Sequence, residues 1–248
     1  MSTARYLADR VRRATPDGAP VVPGSTPVLS FGNPTTCDVA TLGINPSRIE
    51  FQTSARAELP AGSKRLEDLD SLGATSTVDL TDSQVVQVVD ACHRYFKVNP
   101  YRRWFDKLNT VLDGIDKDYY TGTACHLDLV QWATDPVWGS FPRALRTVQQ
   151  TMLEADRGFL AQQIETEDIK LVLVNGRTVT DWLQKSGIVR LEHVGDTPVG
   201  KQGKRSELLR GEARGAVFLG WTLNISHSQT TDSNREDLAG WLAATWSG

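Results

Sequence analysis

Four short apolar runs alternate with amphipathic stretches along the chain. Residues 37–42, 124–130 and 217–225 have the length and side chains of strands, and residues 169–174 form a continuous branched-aliphatic run. A continuous apolar run is typical of a strand buried on both faces of a sheet. The spacing of apolar residues predicts helices over residues 2–14, 81–96, 142–160, 177–185 and 233–246, and another that begins at residue 99.

Two capping-box patterns mark predicted helix starts. Thr81 is followed by Gln84, and Ser233 is followed by Glu236, so each pair can satisfy free N–H groups of a first helical turn. Strands that alternate with helices indicate an α/β fold. We predict a three-layer α/β/α sandwich around a central, mostly parallel four-stranded sheet. Residues 1–248 are expected to form a single domain, in which residues 1–34 are a helix plus a proline-rich lead-in.

Composition narrows the functional classes. Of the 248 residues, 40% are hydrophobic and 23% are charged, as in an ordinary globular domain. No window holds the roughly 18 apolar residues of a membrane span, and Cys37, Cys92 and Cys125 lack the spacing of a zinc or iron–sulfur site. We expect a cytoplasmic monomer with no membrane contact, no metal and no cofactor. The net charge of −3 excludes histone-like binding of nucleic acid but permits a local basic rim.

Polar side chains follow each predicted strand. The four strand exits are Gly43-Ile44-Asn45-Pro46-Ser47, then His126 and Asp128 before Gln131-Trp132, then Asn175-Gly176-Arg177, and finally Ser226-His227-Ser228-Gln229. In an open parallel sheet, ligands bind outside the carboxyl ends of the strands. The sequence therefore predicts a polar pocket along one edge of the sheet.

Each motif also has a purely structural interpretation. Gly-x-Asn-Pro is compatible with a simple turn, because Asn and Pro are both turn formers. His126 is compatible with a hydrogen-bonded core histidine, although Asp128 falls on the same strand face and two buried polar groups need partners or a ligand. His227 is compatible with helix capping, and Asn175-Gly176 with a strand-to-helix turn.

In their order along the chain, these motifs resemble those of the uracil-DNA glycosylase superfamily, in particular its mismatch-specific and single-strand-selective branches. Gly43-Ile44-Asn45-Pro46 is similar to the water-positioning Gly-x-Asn-Pro motif of those branches. Ser226-His227-Ser228-Gln229 resembles the His-Pro-Ser-Pro loop after the final strand, without its prolines. The shared order of motifs covers about residues 30–245. With three cysteines, the chain does not resemble the iron–sulfur branches.

The resemblance implies a DNA glycosylase that flips a damaged or modified base and hydrolyses its N-glycosidic bond, in DNA repair or in defence against phages with modified DNA. It implies that Asn45 orients the water and that His227 donates a hydrogen bond to the departing base. The expected base-binding residues are His126, Asp128, Asn175, Phe51 and Trp132, the last two by stacking. The expected phosphate contacts are Ser47, Arg177 and Ser228.

Residues 124–130 lack the Asn with which the family reads a pyrimidine, and His126 or Asp128 stands in its place. An imidazole or a carboxylate has a different pattern of donors and acceptors, so a cytosine-like or enlarged base is expected in place of uracil. Two alternatives stay open. One is a catalytically inactive module that binds a modified base or a nucleotide, and the other is an enzyme that acts on free nucleosides or nucleotides.

Overall fold

Six strands form one mixed sheet. The computed structural model describes residues 3–197, 205–226 and 230–246. The strands are β1 (Val39–Gly43), β2 (Ala124–Asp128), β3 (Leu171–Asn175), β4 (Glu192–Asp196), β5 (Glu207–Ala213) and β6 (Ala216–Trp221). Their order across the sheet is β2-β1-β3-β6-β5-β4.

Seven α-helices accompany these strands within the described ranges. They are α1 (Arg5–Val11), α2 (Asp82–His93), α3 (Tyr95–Val98), α4 (Arg102–Leu112), α5 (Arg146–Thr166), α6 (Arg177–Ser186) and α7 (Asp232–Thr245). No helix in this part of the chain is both long and apolar enough to cross a membrane.

The predicted α/β class is confirmed, but the predicted number of strands is wrong. The four expected strands are β1, β2, β3 and β6, and all neighbouring pairs among them are parallel. Two further strands, β5 and β4, extend the sheet antiparallel beyond β6. β4 is almost entirely exposed, and its register with β5 shifts between His193 and Gly195. A polar edge strand of this kind lacks the apolar run that identifies a buried strand.

The sheet separates two apolar clusters, so helices cover both of its faces. Val39, Leu171, Leu173 and Leu219 belong to the cluster that includes residues of α1, α2, α4 and α7. Ala40, Leu127, Val172 and Phe218 belong to the cluster that includes residues of α5 and α6. Alternate side chains of one strand point to opposite faces, which explains why most side chains of the central strands are apolar on both faces.

The first predicted capping box is confirmed and the second is wrong. The Thr81 side chain accepts from the backbone N–H of Gln84, and the Gln84 side chain accepts in return. The N-cap of α7 lies two residues earlier than expected, because Thr231 and Asn234 take the capping roles and the helix begins at Asp232. Thr231 has extended backbone angles there, as an N-cap residue requires, so Ser233 lies inside the first turn. The expected helix over 81–96 is also divided, because α2 ends at His93 and α3 begins at Tyr95.

The proline-rich segment after α1 runs along the chain that leaves β2. The N–H of Val22 donates to the carbonyl of Ala133 at 2.9 Å, and the N–H of Val28 donates to that of Gln131 at 2.8 Å. Phe31 and His126 exchange two backbone hydrogen bonds of 2.8 and 2.9 Å. The lead-in therefore places an aromatic ring over the polar end of β2.

Candidate functional site

A cavity of about 320 Å³ opens at the carboxyl ends of β1, β2 and β3. Its walls include five of the predicted site residues, and the complete lining is Phe31, Gly43, Ile44, Asn45, Pro46, Ser47, Ile49, Glu50, Tyr101, Trp104, Phe105, His126, Asp128, Asn175, Val179 and Asn224. The residues Gly43, Asp128 and Asn175 are the last ones of their strands. The expected pocket at the sheet edge is therefore present, with a volume at the lower end of small-molecule sites.

Gly43 lies directly beside the polar end of β2. The parallel register pairs Thr41 with His126 and Gly43 with Asp128. A Cβ on Gly43 would lie 2.5 Å from Asp128 Oδ1 and 2.8 Å from His126 Nε2. The glycine of the Gly-x-Asn-Pro motif is needed here because these two side chains occupy the space that any larger residue would take.

His126 belongs to a buried chain of hydrogen bonds. Its Nδ1 lies 2.7 Å from Thr41 Oγ1, which lies 2.5 Å from the hydroxyl of Tyr119. Tyr119 is buried, and burial raises the pKa of its phenol well above its ordinary value. Asp128 Oδ1 lies 3.4 Å from His126 Nε2, and because a carboxylate oxygen can only accept, this neighbour favours the tautomer with the ring proton on Nε2. Nδ1 is then an acceptor, so the Thr41 hydroxyl donates to it and the Tyr119 hydroxyl donates to Thr41.

Aromatic rings enclose His126 and form one wall of the cavity. The ring centroids of Trp104, Phe105 and Phe31 lie 4.9, 5.4 and 5.5 Å from that of the imidazole. Of these, Trp104 is half-buried and lines the cavity. The rings expected to stack on a ligand do not line this cavity, because Phe51 is packed in an apolar cluster and Trp132 is buried under Arg10. The aromatic wall comes from α4 and the proline-rich lead-in instead.

Asn45 lines the cavity with its amide fixed in one orientation. Its Nδ2 donates to the carbonyls of Pro46 at 3.1 Å and Trp132 at 3.0 Å, and lies 3.0 Å from Thr134 Oγ1. No described residue donates a hydrogen bond to its Oδ1. The side chain is therefore held by its donor end, and its acceptor end is free for a ligand or a water molecule.

Glu50 is the site residue that the sequence analysis missed. It follows Asn45 on a short 3-10 helix over Arg48–Glu50, and it lines the cavity with an exposed fraction of only 3%. The hydroxyl of Tyr95 donates to Glu50 Oε2 at 2.7 Å, and Arg65 Nε lies 4.0 Å from the same oxygen. The spacing of Ser47 and Glu50 matches a capping box, which is the one signal in the sequence that marks this glutamate.

Burial changes the acidity of Glu50. Removal from water raises the pKa of its carboxyl to about 7, against the opposing effects of the Tyr95 hydrogen bond and the Arg65 charge, and nearby Asp128 raises it further. Desolvation and a neighbouring like charge both disfavour the ionised form. The cavity therefore holds a carboxyl group that changes protonation near neutral pH.

The side chain of Asn175, the last residue of β3, is hydrogen-bonded to the segment after β6. Its Oδ1 accepts from Trp221 Nε1 and from the N–H of Ile225, both at 3.0 Å. Its Nδ2 donates to Asn224 Oδ1 and Ser226 Oγ at 3.3 and 3.4 Å. The amide is thus occupied by the protein, so it holds residues 221–226 in position. The expected site residues His227 and Ser228 come next and lie outside the described residues.

Of the two remaining residues expected to contact phosphates, one lines the cavity and one does not. Ser47 lines it, and its Oγ accepts from the N–H of Ile49 at 3.3 Å. Arg177 does not line it, and its guanidinium pairs with Glu207 at 3.1 Å. No Lys or Arg belongs to the described lining of the cavity, so its interior suits a ligand group without negative charge.

Within the described ranges, no group of three or more His, Cys, Asp and Glu side chains is placed to hold a metal ion. The polar groups of the cavity lining include two carboxyl groups, one imidazole and three amides, and they lie beside an aromatic wall. In comparison with known proteins, no family model matches the chain and no curated protein matches it.

Proposed function

We propose that this protein is a DNA glycosylase that hydrolyses the N-glycosidic bond of a base held in the cavity. The observation that carries the proposal is the fixed amide of Asn45. Its donor end is bound by Trp132 and Thr134, so its free acceptor oxygen can orient a water molecule at the cavity wall. A positioned water beside a base-sized cavity is the minimum that such a hydrolysis requires.

The proposed reaction takes place on a nucleotide turned out of its stack. The water oriented by Asn45 bonds through its oxygen to C1′ of the sugar, and the electron pair of the glycosidic bond leaves with the base. Positive charge develops on the sugar and negative charge on the departing base, and Asp128 at the end of β2 is proposed to contact the edge of that base. The amide of Asn45 is too weak a base to remove the proton of water by itself, so stabilisation of the departing base must supply much of the acceleration.

The lining of the cavity supports binding of a base in preference to a phosphate. Trp104 and Tyr101 are half-buried and offer aromatic faces for stacking. Because the described lining contains no Lys or Arg, we propose that the phosphates stay outside the cavity. Arg103 and Lys107 lie on one side of α4, one helical turn apart, and Lys107 Nζ donates to the carbonyl of Ser226 at 3.2 Å. We propose that this side of α4 contacts the DNA backbone.

His227 keeps its proposed role as a hydrogen-bond donor to the departing base. Asn175 supports this role because it fixes the chain as far as Ser226, immediately before the histidine. A donor of this type is worth roughly 3–4 kcal/mol of transition-state stabilisation. His227→Ala should lower single-turnover cleavage by about a hundredfold or more and leave DNA binding nearly intact, whereas a loss confined to binding contradicts the proposed role.

A second candidate is hydrolysis of a free nucleoside. The observation that favours it is again the lining without Lys or Arg, since a free nucleoside brings no phosphate to the cavity. Incubation with free cytidine, adenosine and uridine separates the two candidates. Release of base from nucleosides alone favours the second candidate, and release from DNA alone favours the glycosylase.

The test of the proposed function is an excision screen. Single- and double-stranded oligonucleotides carry uracil, hypoxanthine, xanthine, 5-hydroxymethylcytosine or its glucosylated form, and abasic sites are detected by alkaline cleavage. We expect at least one substrate to be cleaved by the wild-type protein and by Glu58→Gln, a control at an exposed carboxylate outside the cavity. Binding without cleavage of any substrate would instead identify an inactive binding module.

A further inference from the structure

Glu50 is a buried carboxyl group at the cavity wall to which the proposed reaction assigns no role. Its side chain is 3% exposed, and its Oε2 is bound by the hydroxyl of Tyr95. No described residue is hydrogen-bonded to Oε1. An oxygen of a buried residue that no described group binds, at the wall of a ligand-sized cavity, is a group that a ligand can satisfy.

Tyr95 determines which oxygen of Glu50 carries the proton. The Tyr95 hydroxyl accepts from the backbone N–H of Tyr101 at 2.9 Å and is 2.7 Å from Glu50 Oε2. Burial raises the pKa of this phenol well above its ordinary value, and the charge of Glu50 adds to the effect. The phenol therefore remains a donor, and Oε2 is an acceptor. In the neutral carboxyl the proton lies on Oε1, the oxygen that no protein group occupies.

Asp128 presents the complementary group in the same cavity. His126 Nε2 lies 3.4 Å from Asp128 Oδ1, so the imidazole is next to one of the two carboxyl oxygens of Asp128. The charge of Asp128 contributes to the raised pKa of Glu50, so Glu50 is the carboxyl that carries a proton. One protonated and one ionised carboxyl together present a donor and an acceptor. The edge of a base that carries an exocyclic amine next to a ring nitrogen, as in cytosine and adenine, requires this combination of a donor and an acceptor.

We propose that Glu50 is a catalytic acid that donates a proton from Oε1 to the ring nitrogen of an amino-substituted base, while Asp128 accepts a hydrogen bond from the exocyclic amine. This inference rests on the proposed glycosylase function and names its substrate class. Uracil, which has a carbonyl where cytosine has the amine, would place an oxygen against the Asp128 carboxylate and is disfavoured.

Protons and electrons balance in this step. The Glu50 proton moves to the ring nitrogen, and the electron pair of the C1′–N bond moves to the base, which leaves as a neutral molecule. The oxygen of the water held by Asn45 bonds to C1′, and the proton that this water loses passes through solvent to the Glu50 carboxylate. The products are a free base and an abasic sugar, and Glu50 is regenerated.

The groups that face Glu50 determine the pH range of the step. They are Tyr95 from α3, Arg65 from the loop before α2, and Asp128 from β2. Burial is the largest effect, and it raises the pKa of Glu50 to about 7. The raised value means that the neutral acid is present below about pH 7 and is lost above it. Excision should therefore decrease by about tenfold per pH unit above that value.

The first arm of the test compares Glu50→Gln with the wild-type protein in single-turnover excision of 5-hydroxymethylcytosine. The amide retains an N–H donor and the shape of the carboxyl but transfers no proton. We expect about a hundredfold loss of rate or more, no alkaline decrease near pH 7, and an unchanged melting temperature. Glu58→Gln, which removes an exposed carboxylate outside the cavity, should retain both the rate and its pH profile.

The second arm measures binding without excision. Duplexes carry a non-cleavable 2′-fluoroarabino nucleotide of 5-hydroxymethylcytosine or of uracil, and affinity is measured at pH 6 and pH 8.5. We expect the amino base to bind more tightly than uracil, with a preference that is lost at the higher pH. This arm reports on the proposed edge recognition even when no base is excised, so it separates a failure of the inference from a failure of the glycosylase function.

Tyr95→Phe distinguishes a positioning residue from a structural one. The Tyr95 hydrogen bond lowers the pKa of Glu50, so its removal should move the alkaline limb of the excision profile to higher pH. A lower rate without a shift of this limb indicates a structural effect only. Equal excision rates for Glu50→Gln and wild type, or equal binding of both analogues at both pH values, overturn the inference.

Discussion

Gly43 and Asp128 end adjacent parallel strands with no room between them for a single methyl group. The register pairs the two residues, and a Cβ on Gly43 would lie 2.5 Å from Asp128 Oδ1. The backbone conformation of Gly43 is ordinary, since it is not among the positions with positive φ. Residue 43 must therefore be a glycine because the Asp128 carboxylate occupies the space next to it. The Gly-x-Asn-Pro motif and the polar end of β2 thus depend on each other.

Gly43→Ala tests this connection. The added methyl group must displace Asp128 and His126, and overpacking of this kind costs about 1–3 kcal/mol. We expect a lower free energy of unfolding in urea and loss of ligand binding in the cavity. A variant with unchanged stability and full activity would mean that Asp128 is free to move and is not held at the cavity wall.

Gly158→Ala is the matched control for that substitution. Gly158 lies on the exposed side of α5, and a Cβ there meets no atom within 4 Å. Alanine has a higher helix propensity than glycine, so this variant should gain about 0.5–1 kcal/mol. Its activity should equal that of the wild type.

Thr41→Val tests the hydrogen-bond chain behind His126. The substitution keeps the shape of the side chain but leaves the buried Tyr119 hydroxyl without its acceptor, which costs about 1–3 kcal/mol. It also removes the donor to His126 Nδ1, so the imidazole should lose its preference for the Nε2–H tautomer. Nitrogen chemical shifts of the His126 ring, measured by NMR, report the tautomer directly.

Thr41→Ser supplies the control for the hydroxyl group. Serine retains the oxygen, so the tautomer of the wild-type protein should persist even when the missing methyl group lowers stability. If the wild-type spectrum shows neutral His126 with its proton on Nδ1, the inferred donor directions from Tyr119 to Thr41 and from Thr41 to His126 are wrong.

Asn175→Ala should loosen the segment before His227. It leaves Trp221 Nε1 and the N–H of Ile225 without their shared acceptor, at a cost of about 1–3 kcal/mol for each buried donor. Asn175→Asp retains an acceptor oxygen and should recover most of the stability. Hydrogen exchange of the Ile225 amide distinguishes the two variants, and equal protection in both would exclude the anchoring role of the Asn175 oxygen.

Stability away from the cavity depends on a buried ion pair. Arg10 of α1 is completely buried, and its Nη2 lies 2.9 Å from Asp156 Oδ2 of α5. Removal of one partner leaves a buried charge uncompensated, so Arg10→Ala should cost about 3–5 kcal/mol in urea unfolding. Arg5→Ala on the same helix removes an exposed side chain 3.7 Å from Asp9 and should leave the unfolding midpoint unchanged. A similar midpoint for both variants would contradict this role of Arg10.

The parallel part of the sheet could be predicted from the sequence because its strands are buried on both faces. Burial on both faces requires continuous apolar runs such as residues 171–174. Runs of this kind can be recognised from the amino-acid sequence alone. The strands β4 and β5 could not be recognised in this way. The polar side chains of β4 are tolerated because β4 lies at the edge of the sheet, and β5 beside it has only one buried residue, Leu208. The position of a strand in the sheet is a property of the tertiary fold.

The site was predictable where residues lie at the end of a strand. Asn45, His126, Asp128 and Asn175 all reach the same cavity because parallel strands share one carboxyl edge. Glu50 was not predictable in this way, since its burial depends on Tyr95 from a helix far along the chain. The stacking residues were misplaced for a similar reason, because the packing of the proline-rich segment puts Phe31 at the cavity wall.

Release of a base from DNA is the measurement that addresses the proposed function most directly. Mass spectrometry of each oligonucleotide in the excision panel, at protein excess, detects the loss of one base from an otherwise intact strand. We expect this mass change for at least one modified base with the wild-type protein, and a decrease of about a hundredfold or more in its rate for Asn45→Ala. Unchanged masses for every oligonucleotide in the panel, or equal rates for wild type and Asn45→Ala, would contradict a glycosylase whose water is held by Asn45.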